Sequence, residues 1–140
     1  MERGIQVTFD ANDVHGLARW WANVLGYEIV DCHEFVGRLR DEGVIQDSDV
    51  VSIDDRLFFA DAVAATDPKG RGPRIYFQQV PEAKSAKNRV HLDIPVEPDQ
   101  LDDEVERLTE KGASLTGYNT QGDHRSASMR DPEGNEFCLH

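Results

Sequence analysis

The residues of this sequence best suited to chemistry are a histidine and an aspartate in the stretch NRVHLDIPV, residues 88–96. An imidazole beside a carboxylate can act as a base with an orienting partner, although residues two apart on a strand need not share a hydrogen bond. Strict alternation predicts a half-buried β-strand with His91 and Asp93 on the same face. That face meets solvent, a partner surface or a pocket, and the other strands must decide which.

Composition limits the classes of protein that remain. A chain of 140 residues suits one domain, and a net charge of −12 argues against nucleic acid and acidic membrane surfaces as partners. Only Cys32 and Cys138 are present, and there is neither a secretory signal nor an apolar run long enough to span a membrane. We therefore expect a cytoplasmic protein, with the acidity serving mainly solubility.

The remaining patterns alternate between strand and helix. GIQVTFDAND predicts a strand, and the next segment predicts a helix capped by Asn12 or Asp13 and ended by Gly26. Its two tryptophans are interpreted as packing residues. A short strand YEIVD, a short helix from His33 and strands at 56–65 and 74–80 follow.

The second half of the chain repeats this order. After the strand containing His91, LDDEVERLTEKG predicts a helix that buries Leu101, Val105 and Leu108 and stops at Gly112. Three strand patterns follow, ASLTGY, HRSASMRD and NEFCLH, with DPEGN as the turn before the last. Matching features recur at offsets of about 85 residues, which indicates an internal repeat.

The repeat predicts an α+β fold of two βαβββ modules that form one curved mixed sheet with the helices on its outer face. We expect a single domain over 1–140: module one at 1–80 with an extra segment at 33–55, a bridge at 81–87, and module two at 88–140.

The strand alternation divides the side chains between two faces. The apolar face, expected under the helices, carries Ile5, Val7, Phe9, Ile75, Phe77, Val90, Leu92, Ile94, Phe137 and Leu139. The opposite face carries Gln6, Thr8, Tyr76, Gln78, His91, Asp93, Glu136, Cys138 and His140. If the sheet curls, these polar residues line a ligand pocket shaped as a cup.

The stretches WWANVLGYEI, KNRVHLDI and MRDPEGNEFCLH carry a family resemblance. They resemble the vicinal oxygen chelate superfamily, which includes glyoxalase I, extradiol dioxygenases, fosfomycin-modifying enzymes and bleomycin-resistance proteins. The stretch from 77 to 94 is most similar to small glyoxalase-like members of bacterial origin. The resemblance implies a homodimer, in which a second copy covers exposed edges and Trp20 or Trp21.

The resemblance also implies where a metal would bind. In metal-using members the ligands stand at the positions of Gln6, Gln78, His91 and Cys138, where His or Gln and Glu, then His and Glu, are common. Both carboxylates are replaced here, and hard divalent metals prefer carboxylate and imidazole ligands. We therefore expect no native hard metal and no other cofactor, with a divalent metal as the open alternative. We expect the four side chains to converge even without a metal.

His91 and Cys138 are also candidates for metal-free chemistry. His91 is the candidate catalytic residue, as a base of a metal-free enzyme. Cys138 is either a nucleophile activated by His91 or a small buried residue with an inert thiol. The remaining histidines, His15, His33 and His124, are interpreted as surface residues.

Two classes of function follow. The first is a protein that binds a small organic molecule in the polar cup without the family's usual metal centre. The alternative is an enzyme, a metal-dependent lyase or isomerase or a dioxygenase of the vicinal oxygen chelate type. One scaffold hosts many chemistries, so the fold does not choose between them.

Overall fold

The structure, a computed structural model, describes residues 2–140 as two compact units. The first unit ends at Pro81 and the second begins at Glu82. Both units combine helices with strands, as predicted. Among the described residues, no helix is long and apolar enough to cross a membrane.

The first unit is a βαβββ module with an insertion. Its elements in chain order are β1 (Gln6–Ala11), α1 (Val14–Leu25), β2 (Glu28–Ile29), α2 (His33–Asp41), β3 (Val50–Ile53), β4 (Arg56–Phe59), β5 (Ala62–Thr66) and β6 (Arg74–Gln79). Four of the strands form a mixed sheet in the order β1-β6-β5-β2, in which β1 and β6 are parallel. Strands β3 and β4 pair only with each other and, with α2, constitute the insertion.

The second unit has the same topology without an insertion. Its elements are β7 (Leu92–Ile94), α3 (Leu101–Glu110), β8 (Ser114–Gln121), β9 (His124–Arg130) and β10 (Glu136–Leu139). The strand order β7-β10-β9-β8 repeats that of the first unit, again with the first and last strands parallel. The predicted α+β class, with two βαβββ modules and mixed sheets, is confirmed.

The insertion is longer than predicted because residues 56–65 are not one strand. The pattern breaks at Ala60 and Asp61, so that β4 belongs to the β3–β4 hairpin and only β5 joins the sheet. The hairpin turns at Asp54 and Asp55, which have φ of 52° and 61°. Two consecutive positive φ values are what a tight two-residue hairpin requires. An Asp-Asp pair is a weaker sequence signal for that turn than Asn-Gly.

An aromatic cluster forms the core of the first unit. Helix α1 is capped by Asp13, whose carboxylate accepts a hydrogen bond from the Gly16 amide, and it packs on β5 and β6. The Trp21 ring lies 5.4 Å from Phe9, which stacks on Phe77 at 5.3 Å. These contacts turn the apolar face of β1 and β6 toward the helix and leave the polar face on the other side.

Helix α3 covers the sheet of the second unit in the same way. Its buried residues are Leu101, Val105 and Leu108, as predicted, and the helix packs on β8 and β9. On β10, Phe137 and Leu139 are buried, while Glu136 and Cys138 are only half-buried.

Two residues predicted for the apolar face are exposed instead. Ile5 is 76% exposed and Val90 is 82% exposed, because β1 begins at Gln6 and β7 begins at Leu92. Outside the paired strands, alternation no longer decides which side of the chain is covered. The packing interpretation of Trp21 is correct: it is 1% exposed and lies against Phe9. Trp21 therefore cannot serve the predicted dimer contact, which stays a prediction for Trp20 and the sheet edges.

The turn before β10 is held by a buried carboxylate. Asp131 is 3% exposed, and its Oδ1 accepts hydrogen bonds from the backbone amides of Glu133 and Asn135, each at 2.9 Å. Its Oδ2 accepts a third from the Asn135 side chain at 2.9 Å. The predicted DPEGN turn thus sets where β10 starts, and so which of its side chains face the polar side.

Replacing Asp131 with Ala should destabilise the protein by about 2–3 kcal/mol, because three donors in a buried turn lose their acceptor. Urea unfolding followed by circular dichroism measures the loss. Glu106→Ala, on the exposed side of α3, is the control and should change the unfolding free energy by less than about 0.5 kcal/mol. Equal losses in the two variants would contradict the role given to Asp131.

Candidate functional site

The polar face of β1 and β6 carries four of the predicted site residues, Gln6, Thr8, Tyr76 and Gln78. In the parallel register Thr8 lies opposite Tyr76, and the two glutamines lie at opposite ends of this row. All four belong to the unit of residues 2–81. Alternation alone was enough to place them on one face.

Both glutamine side chains already have partners on the neighbouring strand. The Gln6 Oε1 accepts a hydrogen bond from the Arg74 guanidinium, and the Gln78 Nε2 donates one to Asp10 Oδ1 at 2.8 Å. The Gln6 oxygen is therefore a poor ligand for a metal cation, because the Arg74 guanidinium already binds this oxygen and its positive charge repels the cation. Two of the four family ligand positions therefore carry cross-strand hydrogen bonds in this unit.

The polar face of β7 and β10 brings three predicted residues together. Strand β10 pairs with β7 so that Cys138 lies opposite Asp93. The His91 Nδ1 lies 3.4 Å from Asp93 Oδ1, and one ligand atom from each of His91, Asp93 and Cys138 lies within 4.8 Å of the other two. These three residues, the His-Asp-Cys cluster, are the densest group of chemically competent side chains predicted from sequence.

The cluster is open rather than buried. The His91 side chain is 39% exposed and that of Asp93 is 55% exposed, while Cys138 is half-buried. On its other side, the Cys138 Sγ lies 3.8 Å from the Ser128 hydroxyl. A ligand arriving from solvent can therefore reach the imidazole and the thiol without any opening of the core.

Glu136, the fourth predicted residue of this unit, holds the chain that precedes β7. Its Oε2 accepts a hydrogen bond from the Asn88 amide at 3.0 Å, and its Oε1 lies 3.2 Å from the Lys84 ammonium. The Asn88 side chain also donates to Asn135 at 3.1 Å. The Asn88 amide first, and Lys84 in addition, lower the pKa of Glu136 to about 2. The Glu136 carboxylate thus fixes the chain before β7 and is also part of the polar face. We call its contacts with the Asn88 amide and Lys84 the Glu136 tie.

A cavity of about 560 Å³ opens beside this tie and lies within residues 82–140. Its lining comes from the chain before β7, from β8, β9 and β10, and from the turn before β10: residues 84–87, 128–130 and 136–138 with His91, Thr116, Glu133 and Gly134. Of the predicted pocket residues, His91, Glu136 and Cys138 line it and Asp93 does not. The predicted convergence of Gln6 and Gln78 with His91 and Cys138 stays a prediction.

The sequence patterns did not identify several residues of this cavity. Residues 81–87 were interpreted as a polar bridge, yet Lys84 and Lys87 line the cavity, as does Arg130 on β9. Ser128 and Thr116 contribute hydroxyl groups. The available signal for the two lysines was charge, because Lys84 and Lys87 lie three residues apart in a strongly acidic chain, whereas nothing in the sequence marked Arg130.

Two histidines interpreted as surface residues are instead structural. The His15 ring Nε2 lies 2.9 Å from the Phe59 carbonyl, and the His33 Nδ1 accepts a hydrogen bond from the Leu57 amide at 2.8 Å. Both rings are half-buried and hold strand β4 of the insertion. His124 is exposed, as predicted, and packs edge-on against His140 with ring centroids 5.9 Å apart.

Comparison with known proteins agrees with this architecture. Residues 6–140 match the family model of a glyoxalase-like domain. The fosfomycin resistance protein FosX from Mesorhizobium loti superposes with a TM-score of 0.65 at 16% identity, covering 100% of this chain and 91% of that one. A glyoxalase/bleomycin resistance/dioxygenase family enzyme from Burkholderia phytofirmans PsJN gives 0.62 at 14% identity, covering 96% and 94%.

A third similar structure is a mutant FosX from Listeria monocytogenes complexed with Mn(II) and 1S,2S-dihydroxypropylphosphonic acid. Its TM-score is 0.64 at 15% identity, covering 100% of this chain and 90% of that one. At these identities the superpositions establish the fold alone. A search of the curated proteins finds no match.

The Glu136 tie should make stability depend on pH. The folded-state pKa is depressed from 4.5 to about 2, so the tie contributes fully above the unfolded value and is lost as the pH falls from 4.5 toward 2. At pH 7, Glu136→Gln should cost about 1–2 kcal/mol, a figure reduced for partial exposure. The difference from wild type should narrow steadily below pH 4.5. Urea unfolding at a series of pH values measures both.

The matched control is Glu106→Gln, which removes an exposed carboxylate from α3. It should leave the unfolding free energy near the wild-type value across the whole pH range. A constant difference between wild type and Glu136→Gln from pH 7 to pH 3 would show that the carboxylate charge has no part in the tie.

Proposed function

Because the chain belongs to the glyoxalase-like domain family of the vicinal oxygen chelate superfamily, we propose that it binds a small organic molecule in the cavity of residues 82–140, without the superfamily's usual hard-metal centre. The observation that carries the proposal is the cavity itself, which opens on the polar face containing His91 and Cys138. In this proposal His91 contacts the ligand directly, as a hydrogen-bonding group or as a base.

The size and lining of the cavity support a small-molecule ligand. Ligand pockets commonly occupy about 300–1,000 Å³, with an apolar lining and a few polar groups that orient the ligand. Here Ala86 and the methylene groups of Lys84 and Lys87 supply apolar surface, and His91, Thr116 and Ser128 supply hydrogen-bonding groups. A ligand of one ring or a short branched chain matches this space.

The state of the family ligand positions supports the metal-free part of the proposal. The Gln6 oxygen is occupied by Arg74, and the Gln78 amide is oriented by the hydrogen bond from its Nε2 to Asp10, so the Gln6 oxygen is not free for a cation. The nearby carboxylate of Glu136 is held by Lys84 and the Asn88 amide. A hard divalent ion needs several oxygen ligands, preferably charged ones, and would have to displace these partners first.

A cavity-blocking variant tests the binding proposal. Thr116→Trp places an indole at an exposed position of β8 that lines the cavity, and Thr120→Trp places one on the same strand away from it. Small organic compounds that bind the wild type, found by NMR screening, should lose at least tenfold in affinity with Thr116→Trp and little with Thr120→Trp. His91→Ala should stay folded, because its side chain is partly exposed, and should also weaken binding.

Two results would contradict the proposal. One is a set of compounds that bind Thr116→Trp and wild type equally well, which would move the site away from the cavity. The other is stoichiometric manganese, nickel or magnesium in protein purified without added metal, detected by elemental analysis.

The His-Asp-Cys cluster supports a second candidate, a metal-dependent enzyme with an unusual ligand set. Asp93 adds a carboxylate to the imidazole of His91 and the thiol of Cys138, all within 4.8 Å. Nitrogen and sulfur ligands suit zinc or cobalt better than magnesium or calcium. These three residues would hold such an ion, which would supply Lewis-acid chemistry when bound.

Cobalt titration distinguishes the second candidate. If the cluster holds a metal, adding Co(II) should produce the near-ultraviolet absorption of a cobalt–thiolate bond, saturating at one ion per chain. Cys138→Ser should abolish that absorption, Asp93→Asn should weaken binding, and Cys32→Ser should change neither. Under the metal-free proposal the wild type shows no such band at micromolar Co(II), and that is the result we expect.

A further inference from the structure

We propose that the cavity of residues 82–140 is selective for a small organic anion, with the acidic group of the ligand held by Lys87 and Arg130. The inference rests on the proposed binding function and adds the charge class of the ligand. It is carried by the distribution of charge in the cavity, which differs from that of the whole chain.

The cavity reverses the charge balance of the protein. The chain has 27 acidic against 15 basic side chains, a net charge of −12. The lining has three cationic side chains, Lys84, Lys87 and Arg130, against two carboxylates, Glu133 and Glu136, while Asp93 lies outside it. A local excess of positive charge in an acidic chain is a specific feature of this surface.

The cations differ in whether they are already neutralised. Lys84 lies 3.2 Å from Glu136 and so belongs to the tie that holds the chain before β7. Within residues 2–140, neither the Lys87 ammonium nor the Arg130 guanidinium has a hydrogen bond or an ion pair. Both side chains are exposed to solvent at the cavity wall. They are therefore available to a ligand at no cost of breaking an existing pair.

The chemistry of the two groups favours a carboxylate, phosphonate or phosphate ester. A guanidinium binds two oxygens of one planar or tetrahedral acid through parallel hydrogen bonds, and an ammonium adds a point charge. Ala86 and the methylene stems of the lining lysines and of Arg130 offer apolar contact in the same cavity, which favours an organic body over a bare inorganic ion. His91 and the Ser128 hydroxyl can complete the set of donors.

The experiment compares matched probes by ¹⁵N NMR titration. Benzoate and phenylphosphonate carry the acid, benzamide is the neutral counterpart of benzoate, benzylamine is cationic, and inorganic phosphate tests the charge without the organic body. We expect the two organic acids to bind at least tenfold more tightly than benzamide or inorganic phosphate, with shifts at residues that line the cavity. Benzylamine should bind most weakly.

Variants test whether Lys87 and Arg130 cause the preference for benzoate over benzamide. The double variant Lys87→Gln with Arg130→Gln should weaken benzoate at least tenfold and leave benzamide unchanged, which removes the preference. Lys69→Gln, an exposed lysine of the other unit that does not line the cavity, is the control and should retain it. Arg130→Lys should recover part of the benzoate affinity, because it restores the charge without the two-pronged geometry.

The possible outcomes distinguish failure of the anion site from failure of small-molecule binding at the cavity. The anion site is wrong if benzamide binds as tightly as benzoate, if benzylamine binds best, or if the double variant still prefers benzoate to benzamide. In each of these cases small-molecule binding at the cavity is tested separately by Thr116→Trp. If inorganic phosphate matches the organic acids, the cavity is only a charged surface. If no probe binds the wild type, both the anion site and small-molecule binding at this cavity are overturned.

Discussion

Burial of one face of each sheet under a single helix is the constraint on which the rest of this structure depends. A strand sends alternate side chains to opposite faces, so packing Phe9 and Phe77 against Trp21 determines where Gln6, Thr8 and Gln78 point. The second unit obeys the same rule, with Phe137 and Leu139 buried and Cys138 on the polar face. A slip of one residue would exchange the two faces at a large cost in buried apolar surface.

The polar faces of the two sheets differ in what their side chains contact. In the first unit the glutamines are hydrogen-bonded across strands to Arg74 and Asp10. In the second unit Glu136 ties down the chain at Lys84 and Asn88, and a cavity remains beside it. The repeat preserves topology, whereas the chemistry of the equivalent positions has diverged.

This divergence bears directly on the choice between binding and catalysis. The resemblance to the superfamily implies that metal-using members carry carboxylates at the positions of Gln78 and Cys138, and the carboxylate of Glu136 on β10 is held by Lys84 and the Asn88 amide. What the cavity offers instead is an imidazole, a thiol, hydroxyl groups and two cations that have no ion pair among the described residues. Such a set is suited to recognising a molecule through shape and charge, as proposed above, and the fold itself does not determine a reaction.

Much of this could be read from the sequence, because strand alternation, helical stripes and turn residues act over a few positions. They predicted the repeat, the helices, the DPEGN turn and the common face of His91, Asp93 and Cys138. Only the tertiary structure decided that Val90 is exposed, that 56–65 is broken, and that Lys84, Lys87 and Arg130 reach one cavity. The cavity depends on contacts between segments some 40 to 50 residues apart, such as Asn88 with Glu136, which no local pattern specifies, and the break in 56–65 depends on the pairing of β4 with β3.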